Sequence, residues 1–113
     1  MKPSGSFASA NAPSPDIDHD ALQRALEAGS VVVVDVREPY EFAAGHIAGA
    51  LNLPLSSFQP EDLPQDKTPV LICQVGARSA AALRQAIGAG VANVRHYPGG
   101  MSGWRALGGK IAI

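Results

Sequence analysis

The chain of 113 residues has a single cysteine, Cys73. A lone cysteine excludes an internal disulfide and any Cys-x-x-Cys metal or redox motif. It also leaves no second thiol in the chain to resolve a covalent intermediate, so whatever forms on Cys73 must be discharged by an outside molecule. No apolar run approaches the ~20 residues that carry a helix across a bilayer, and no membrane partner is expected. Neither sign of charge dominates: 9 Lys and Arg against 10 Asp and Glu give a net charge of −1. Nucleic acids and anionic membranes favour a clustered basic face, which such a balance gives no reason to expect. Nucleotide-binding glycine patterns are missing as well. Gly88 and Gly90 fit no G-x-G-x-x-G fingerprint, and Lys110 has no P-loop glycine at the right spacing. His19 and His96 stand apart from any cysteine or carboxylate cluster at ligand spacing, so no metal and no cofactor is expected.

What remains is an ordinary globular composition, 46% hydrophobic and 17% charged, enough for one domain with one core. Residues 1–15 are rich in Ser, Ala, Gly and Pro, with Phe7 as their one large apolar side chain. They read as a flexible tail ahead of a domain over 16–113. The tail holds no apolar stretch of the kind a secretory signal needs, which points to the cytoplasm.

From Asp16 onward helical and strand-like segments alternate. Asp18 suits the N-cap of a helix with Leu22, Ala25 and Leu26 on one face and Gly29 as its stop. Val31 to Val36 is a β-branched run broken only by Asp35, the pattern of a strand buried on both faces in a parallel sheet. Pro39 opens a short helix over Tyr40–Ala44 ended by Gly45, and 50–53 forms a short strand closed by Pro54. Val70–Cys73 is a further buried strand, Arg78–Ile87 a helix with Ala80, Leu83 and Ile87 on one side, and Val94–Tyr97 another strand. Gly100–Leu107 makes a last short helix carrying Trp104. Such alternation predicts an α/β domain with a mostly parallel sheet and right-handed crossovers. Sites in these sheets lie at the carboxyl ends of strands, where Asp35 and Cys73 fall.

The chemistry concentrates in Val70–Ser79, VLICQVGARS. A cysteine closes a buried strand, a short loop with Gly76 follows, and a helix begins near Arg78. Loop amides not used by the helix can turn toward the sulfur as an anion-binding nest, and the helix start adds partial positive charge. Both favour thiolate over thiol. A free cysteine is by default a small buried hydrophobe, but this strand–loop–helix setting marks Cys73 as an activated nucleophile. Arg78 has two roles open to it, bonding loop carbonyls or offering its planar fork to an anion.

Cys73-Gln74-Val75-Gly76-Ala77-Arg78-Ser79 resembles the C-x-x-G-x-R-S active-site loop of rhodanese domains. Asp35-Val36-Arg37-Glu38, Glu41-Phe42, Gly45 to Ala50 and Asn52-Leu53-Pro54 are similar to that family's first signature. Tyr97-Pro98-Gly99-Gly100 followed by Trp104 is similar to its closing segment. The resemblance implies a three-layer α/β fold with a central parallel five-stranded sheet flanked by helices. It also implies a cofactor-free sulfurtransferase. Cys73 would take the outer sulfur of a donor such as thiosulfate, or another persulfide, as its own persulfide and pass it to a thiol, cyanide or a protein. The amides from Gln74 to Ser79 would stabilise the persulfide anion.

Four residues separate Cys73 from Arg78, the loop length of sulfurtransferases; related phosphatases and arsenate reductases have five. Gln74, Val75 and Ala77 are uncharged, leaving Arg78 as the loop's cation, which weakens the case for dianionic thiosulfate as the physiological donor. A relay handing sulfur to one dedicated protein shares the chemistry. A non-catalytic interaction module fits less well, since such modules often lack the cysteine. Asp35 and Arg37 flank a strand end, where a catalytic-acid or anion-binding role is open to them. They read rather as structural support, with Arg37 expected to pair with Glu41 four residues on and Asp35 still free to line the pocket. His46, flanked by glycine, is expected to bond local backbone rather than serve as a base. Trp104 and Tyr97 are expected in the core or at its rim.

Overall fold

The computed structural model describes residues 14–113; of the tail expected over 1–15, residues 1–13 lie outside the described residues. Helix α1 (His19–Ala28) begins where Asp18 accepts the Ala21 amide on its side chain at 2.8 Å, and ends on Gly29 at φ 71°. A left-handed C′ position is the conformation glycine adopts without steric cost. Strand β1 (Val31–Asp35), helix α2 (Pro39–Ala43), strand β2 (Leu51–Asn52) and two short 3₁₀ turns (Leu55–Ser57, Pro60–Asp62) follow. Strand β3 (Thr68–Ile72), helix α3 (Ala77–Gly88), strand β4 (Arg95–His96) and helix α4 (Gly100–Ala106) complete the domain.

The sheet is parallel throughout, in the order β2-β1-β3-β4. β1 and β3 lie at its centre and alternate between two cores. Val31, Val33, Val70 and Ile72 face Leu22, Met101 and Trp104 on one side. Val34, Val36, Leu71 and Cys73 face Ala82, Ala86 and Phe58 on the other. Strands covered on both faces must be apolar at every position, which is what the Val run of β1 supplies. Within the first core Trp104 sits edge-on to Tyr97 at 6.1 Å and donates its indole N–H to the Lys110 carbonyl at 2.9 Å.

Three expectations change. Among the described residues the sheet has four strands rather than the five that the resemblance implies. On the outer edge of β4 a single bridge joins Asp16 to His96, with His96 N–H donating to Pro15 O and Ile17 N–H to His96 O, each at 2.9 Å. The segment cannot lengthen, because Pro15 has no N–H to give and Asp18 already caps α1. Strand β3 starts earlier than expected, at Thr68, and passes through Pro69. Thr68 N–H points to Ser30 O on the β1 side at 3.4 Å, so the proline's missing donor falls on the other side. There pairing with β4 begins only at Val70. Finally, α3 buries Ser79, Ala82 and Ala86, while Ile87 is 54% exposed. Leu83 still packs, partly buried, against the second core. The stripe is centred on Ser79, Ala82 and Ala86 rather than reaching Ile87 because the loop after β3 fixes the helix start and turns Ser79 inward. Among the described residues no helix is long and apolar enough to cross a membrane.

Candidate active site

Cys73 follows the last residue of β3, and α3 starts four residues later. The sulfur is almost wholly enclosed, the residue being 1% exposed. Gly76 N–H donates to Sγ at 3.0 Å, and the Ser79 hydroxyl lies 3.4 Å from it. Burial pushes the thiol's pKa up, but the Ser79 hydroxyl, the Ser79 amide and the amides of Gly76 and Val75 outweigh it, and the net direction is downward. A thiol held below its usual range is thiolate to a larger extent at neutral pH.

The amides point inward because the loop's carbonyls are taken from outside. Met101 N–H donates to Cys73 O at 2.8 Å and Ser102 N–H to Gln74 O at 3.1 Å, while the Gln74 amide donates to Ser102 Oγ at 3.0 Å. The first turn of α4 is thus the clamp that shapes the loop. Two glycines permit its approach. Gly76 has φ 103°, and a Cβ there would meet the Pro98 carbonyl oxygen at 2.5 Å. Gly100 has φ 65°, and a Cβ there would collide with the Gln74 carbonyl and come within 2.8 Å of Cys73 O.

The charged residues pair differently from the expectation. Arg37 turns back to Asp35 instead of forward to Glu41, its Nη2 donating to Asp35 Oδ2 at 2.8 Å and to Gly45 O at 2.8 Å. Asp35 also accepts the Arg37 amide and Nε, both at 3.0 Å on Oδ1. α2 begins at Pro39, so Arg37 lies before it and shares no helical face with Glu41. The pair is buried, Asp35 at 0% and Arg37 at 3% exposure, and its one link to the loop is Arg37 Nη1 to Gln74 Oε1 at 3.4 Å. Glu41 instead grips Arg78 through both terminal guanidinium nitrogens, Nη1 and Nη2, at 2.6 and 3.0 Å. That bond, with the Glu38 amide and the charge of Arg37, holds the Glu41 carboxyl down at about 2 against the pull of its own burial. Glu41 likewise raises Arg78, and the nearby Cys73 sulfur adds to the effect. The loop's cation is therefore committed to an ion pair, neither bonding loop carbonyls nor free for an anion. Val75 and Ala77 project outward, Val75 at 70% exposure. His46 Nδ1 lies 2.7 Å from Phe42 O with its ring stacked on Phe42, and makes no contact with the sulfur.

His96, to which no role was assigned from the residues, stands behind the loop. Its Nε2 is 2.8 Å from Ser79 Oγ, across 17 residues of chain. Spacing carries no signal of that contact. It arises because β4 lies beside β3, with His96 level with Leu71.

Residues 18–107 match the family described as Rhodanese-like domain. The chain belongs to this family. It is similar to the Synechocystis protein slr1261, described as uncharacterized, at 46% identity over 89 residues, 77% of this chain and 50% of that protein. A thiosulfate sulfurtransferase GlpE of Pseudomonas entomophila is 37% identical over 84 residues, covering 73% of this chain and 77% of the relative. Among solved structures, the human single-domain sulfurtransferase TSTD1 superposes with a TM-score of 0.73 at 30% identity, covering 83% of this chain and 97% of that one. The chain spans half the length of the Synechocystis relative and 21% of the Mycobacterium tuberculosis protein MoeZ, a probable adenylyltransferase/sulfurtransferase to which it is 39% identical. The parallel sheet flanked by helices is the architecture these rhodanese-like neighbours share.

Proposed function

We propose that this rhodanese-like domain is a sulfurtransferase that carries sulfane sulfur as a persulfide on Cys73. The observation that carries the reading is the sulfur's setting: Sγ accepts the Gly76 amide at 3.0 Å and faces Ser79 at 3.4 Å, inside a loop clamped by α4. The Cys73 thiolate attacks the outer sulfur of a donor. A bond forms between Sγ and that sulfur as the donor's S–S bond breaks, and the electron pair leaves with the remainder, which is sulfite if the donor is thiosulfate. The amides that hold the thiolate suit the persulfide anion equally, since charge stays at the mouth of the same nest. A thiophilic acceptor, a thiol or protein thiolate in the cell and cyanide in an assay, then attacks the outer sulfur and Sγ departs as thiolate. With one cysteine in these 113 residues, no other thiol among them can discharge it.

The committed state of Arg78 and Arg37 supports persulfides over thiosulfate as the physiological donor. Thiosulfate brings two negative charges, and each arginine near the loop already answers a carboxylate. Thiosulfate then serves as a workable donor in vitro with weak binding. Intact-protein mass spectrometry after incubation with thiosulfate or an alkyl persulfide tests the proposal. A gain of one sulfur atom in the wild type, absent in Cys73→Ser and reversed by cyanide, is expected. No gain from either donor would overturn the assignment and favour a non-catalytic interaction module.

A further inference from the structure

From Ser79, beside the reactive sulfur, a line of polar groups runs on that the sulfur-transfer steps leave unused beyond that hydroxyl. Ser79 is fully buried and His96 is 7% exposed. From Sγ to Ser79 Oγ is 3.4 Å, from Oγ to His96 Nε2 2.8 Å, and from His96 Nδ1 to Asp16 Oδ1 3.5 Å. The Asp16 side chain is 55% exposed, so the line begins at the enclosed thiol and ends in water. A buried imidazole set between a hydroxyl and a carboxylate is held in one orientation, with each ring nitrogen given a distinct partner.

We propose that Ser79 and His96 form a proton relay that takes the proton from the Cys73 thiol and fixes the direction of the Ser79 hydroxyl. His96 does not touch the reacting sulfur; it is a positioning residue acting through Ser79. The proposal rests on Cys73 being the reacting group. Ser79 has one proton and three acceptors within reach: Sγ, His96 Nε2 and Gly76 O at 3.2 Å. With the thiol protonated, S–H donates to Oγ and the hydroxyl donates to Nε2 of a neutral imidazole. When the thiol ionises, its proton passes to Oγ as the serine's own proton passes to Nε2. The bonds then run the other way: Nε2–H donates to Oγ, and the hydroxyl donates to the thiolate. Ser79 ends unchanged, one proton has crossed from sulfur to imidazole, and the imidazolium faces the Asp16 carboxylate.

Among the described residues, the charged and titratable groups around the imidazole are few. Asp16 faces it from the N-terminal segment, and Cys73 from the end of β3 through Ser79 of α3. On its own strand, Arg95 turns its guanidinium to the carbonyls of Asp16, at 3.0 Å, and Pro15, at 3.5 Å. In the proposed relay thiol and imidazole share one proton line, so a probe of the thiol should report on both groups.

The test is the pH dependence of Cys73 alkylation by iodoacetamide, read by intact mass, which needs no sulfur donor. The wild type should show two inflections, one of them in the imidazole range. His96→Gln, which keeps a donor amide but cannot titrate, should leave one inflection. Ser79→Ala, with the imidazole present but disconnected, should do the same. Each should lower the neutral-pH alkylation rate about tenfold, one pKa unit of thiolate. The double variant should be no slower than the slower single one, because both cut one chain. A folded His96→Gln protein with the wild-type profile, or multiplying losses in the double variant, would overturn the relay. Should His96→Gln fail to fold, Asp16→Asn decides: it should move the imidazole-range inflection to lower pH, and an unmoved inflection sinks the proposal. Two inflections in a protein that takes up no sulfur would leave the relay standing and remove the sulfurtransferase reading; sulfur uptake with a single inflection would do the reverse.

Discussion

If Cys73 takes sulfur as proposed, replacing Glu41 by glutamine should improve the use of thiosulfate as donor. The carboxylate grips Arg78 with bonds of 2.6 and 3.0 Å and is itself held at about 2 rather than 4.5. That displacement corresponds to ~3 kcal/mol between its charged and neutral forms. The Arg78 side chain is 35% exposed and that of Glu41 20%, and solvent screening at such a site leaves ~1 kcal/mol of net stabilisation. Because the folded carboxyl is the stronger acid, this contribution is complete above pH 4.5 and fades as pH falls toward about 2. Glu41→Gln should therefore lower stability by ~1 kcal/mol at neutral pH, and the gap from wild type should close across that acid window. The functional effect has the opposite sign. Arg78 then carries an uncompensated charge beside the sulfur, and ~1 kcal/mol of added attraction for a dianion lowers the thiosulfate KM about fivefold. The gain should shrink as ionic strength rises. An alkyl persulfide, at most a monoanion, assayed alongside, should respond less than the dianion. A thiosulfate KM that stays put or rises in a folded Glu41→Gln protein would refute the argument that the Glu41–Arg78 pair sets donor preference. An equal change for both donors would refute it too.

Two further substitutions probe the frame around the loop. Asp35→Asn leaves the Arg37 guanidinium buried at 3% exposure with its charge unanswered, and urea unfolding should show a loss of ~3–5 kcal/mol; a loss below ~1 kcal/mol would mean that Arg37 finds solvent. Gly100→Ala drives a methyl into the Gln74 carbonyl and against Cys73 O, so sulfur uptake should fall at least tenfold. Gly49→Ala, also at positive φ (82°) but with open space around it, should cost only the ~1–2 kcal/mol of left-handed backbone and keep full activity. Similar activity losses in the two would show that strain, not the clash, is responsible.

Much of the fold was legible because its signals are local. The Val run of β1 needs both faces covered, Asp18 caps the helix it precedes, and Gly29 ends it. The candidate loop was legible for the same reason, since cysteine, glycine, arginine and serine sit within seven residues, Cys73 to Ser79. What stayed hidden depends on which strands become neighbours. Arg37 and Glu41 looked like an i,i+4 pair, yet each found its partner outside that spacing: Asp35 two residues back, and Arg78 across 37 residues. The pairing on the outer edge of β4 stops at one bridge because Pro15 and the α1 cap bracket it from both sides. His96 gives no sign of its contact with Ser79 until β4 is laid beside β3. The loop motif, in turn, says which atoms surround the sulfur and leaves their orientation open. That orientation comes from Met101 and Ser102, which draw the carbonyls outward, and from Pro98, which presses on Gly76. It follows that a chain with an intact loop but a bulkier residue at Gly100 would keep the motif and lose the nest. A thiolate-stabilising site in this fold therefore has to be judged on β3, α3 and the start of α4 together.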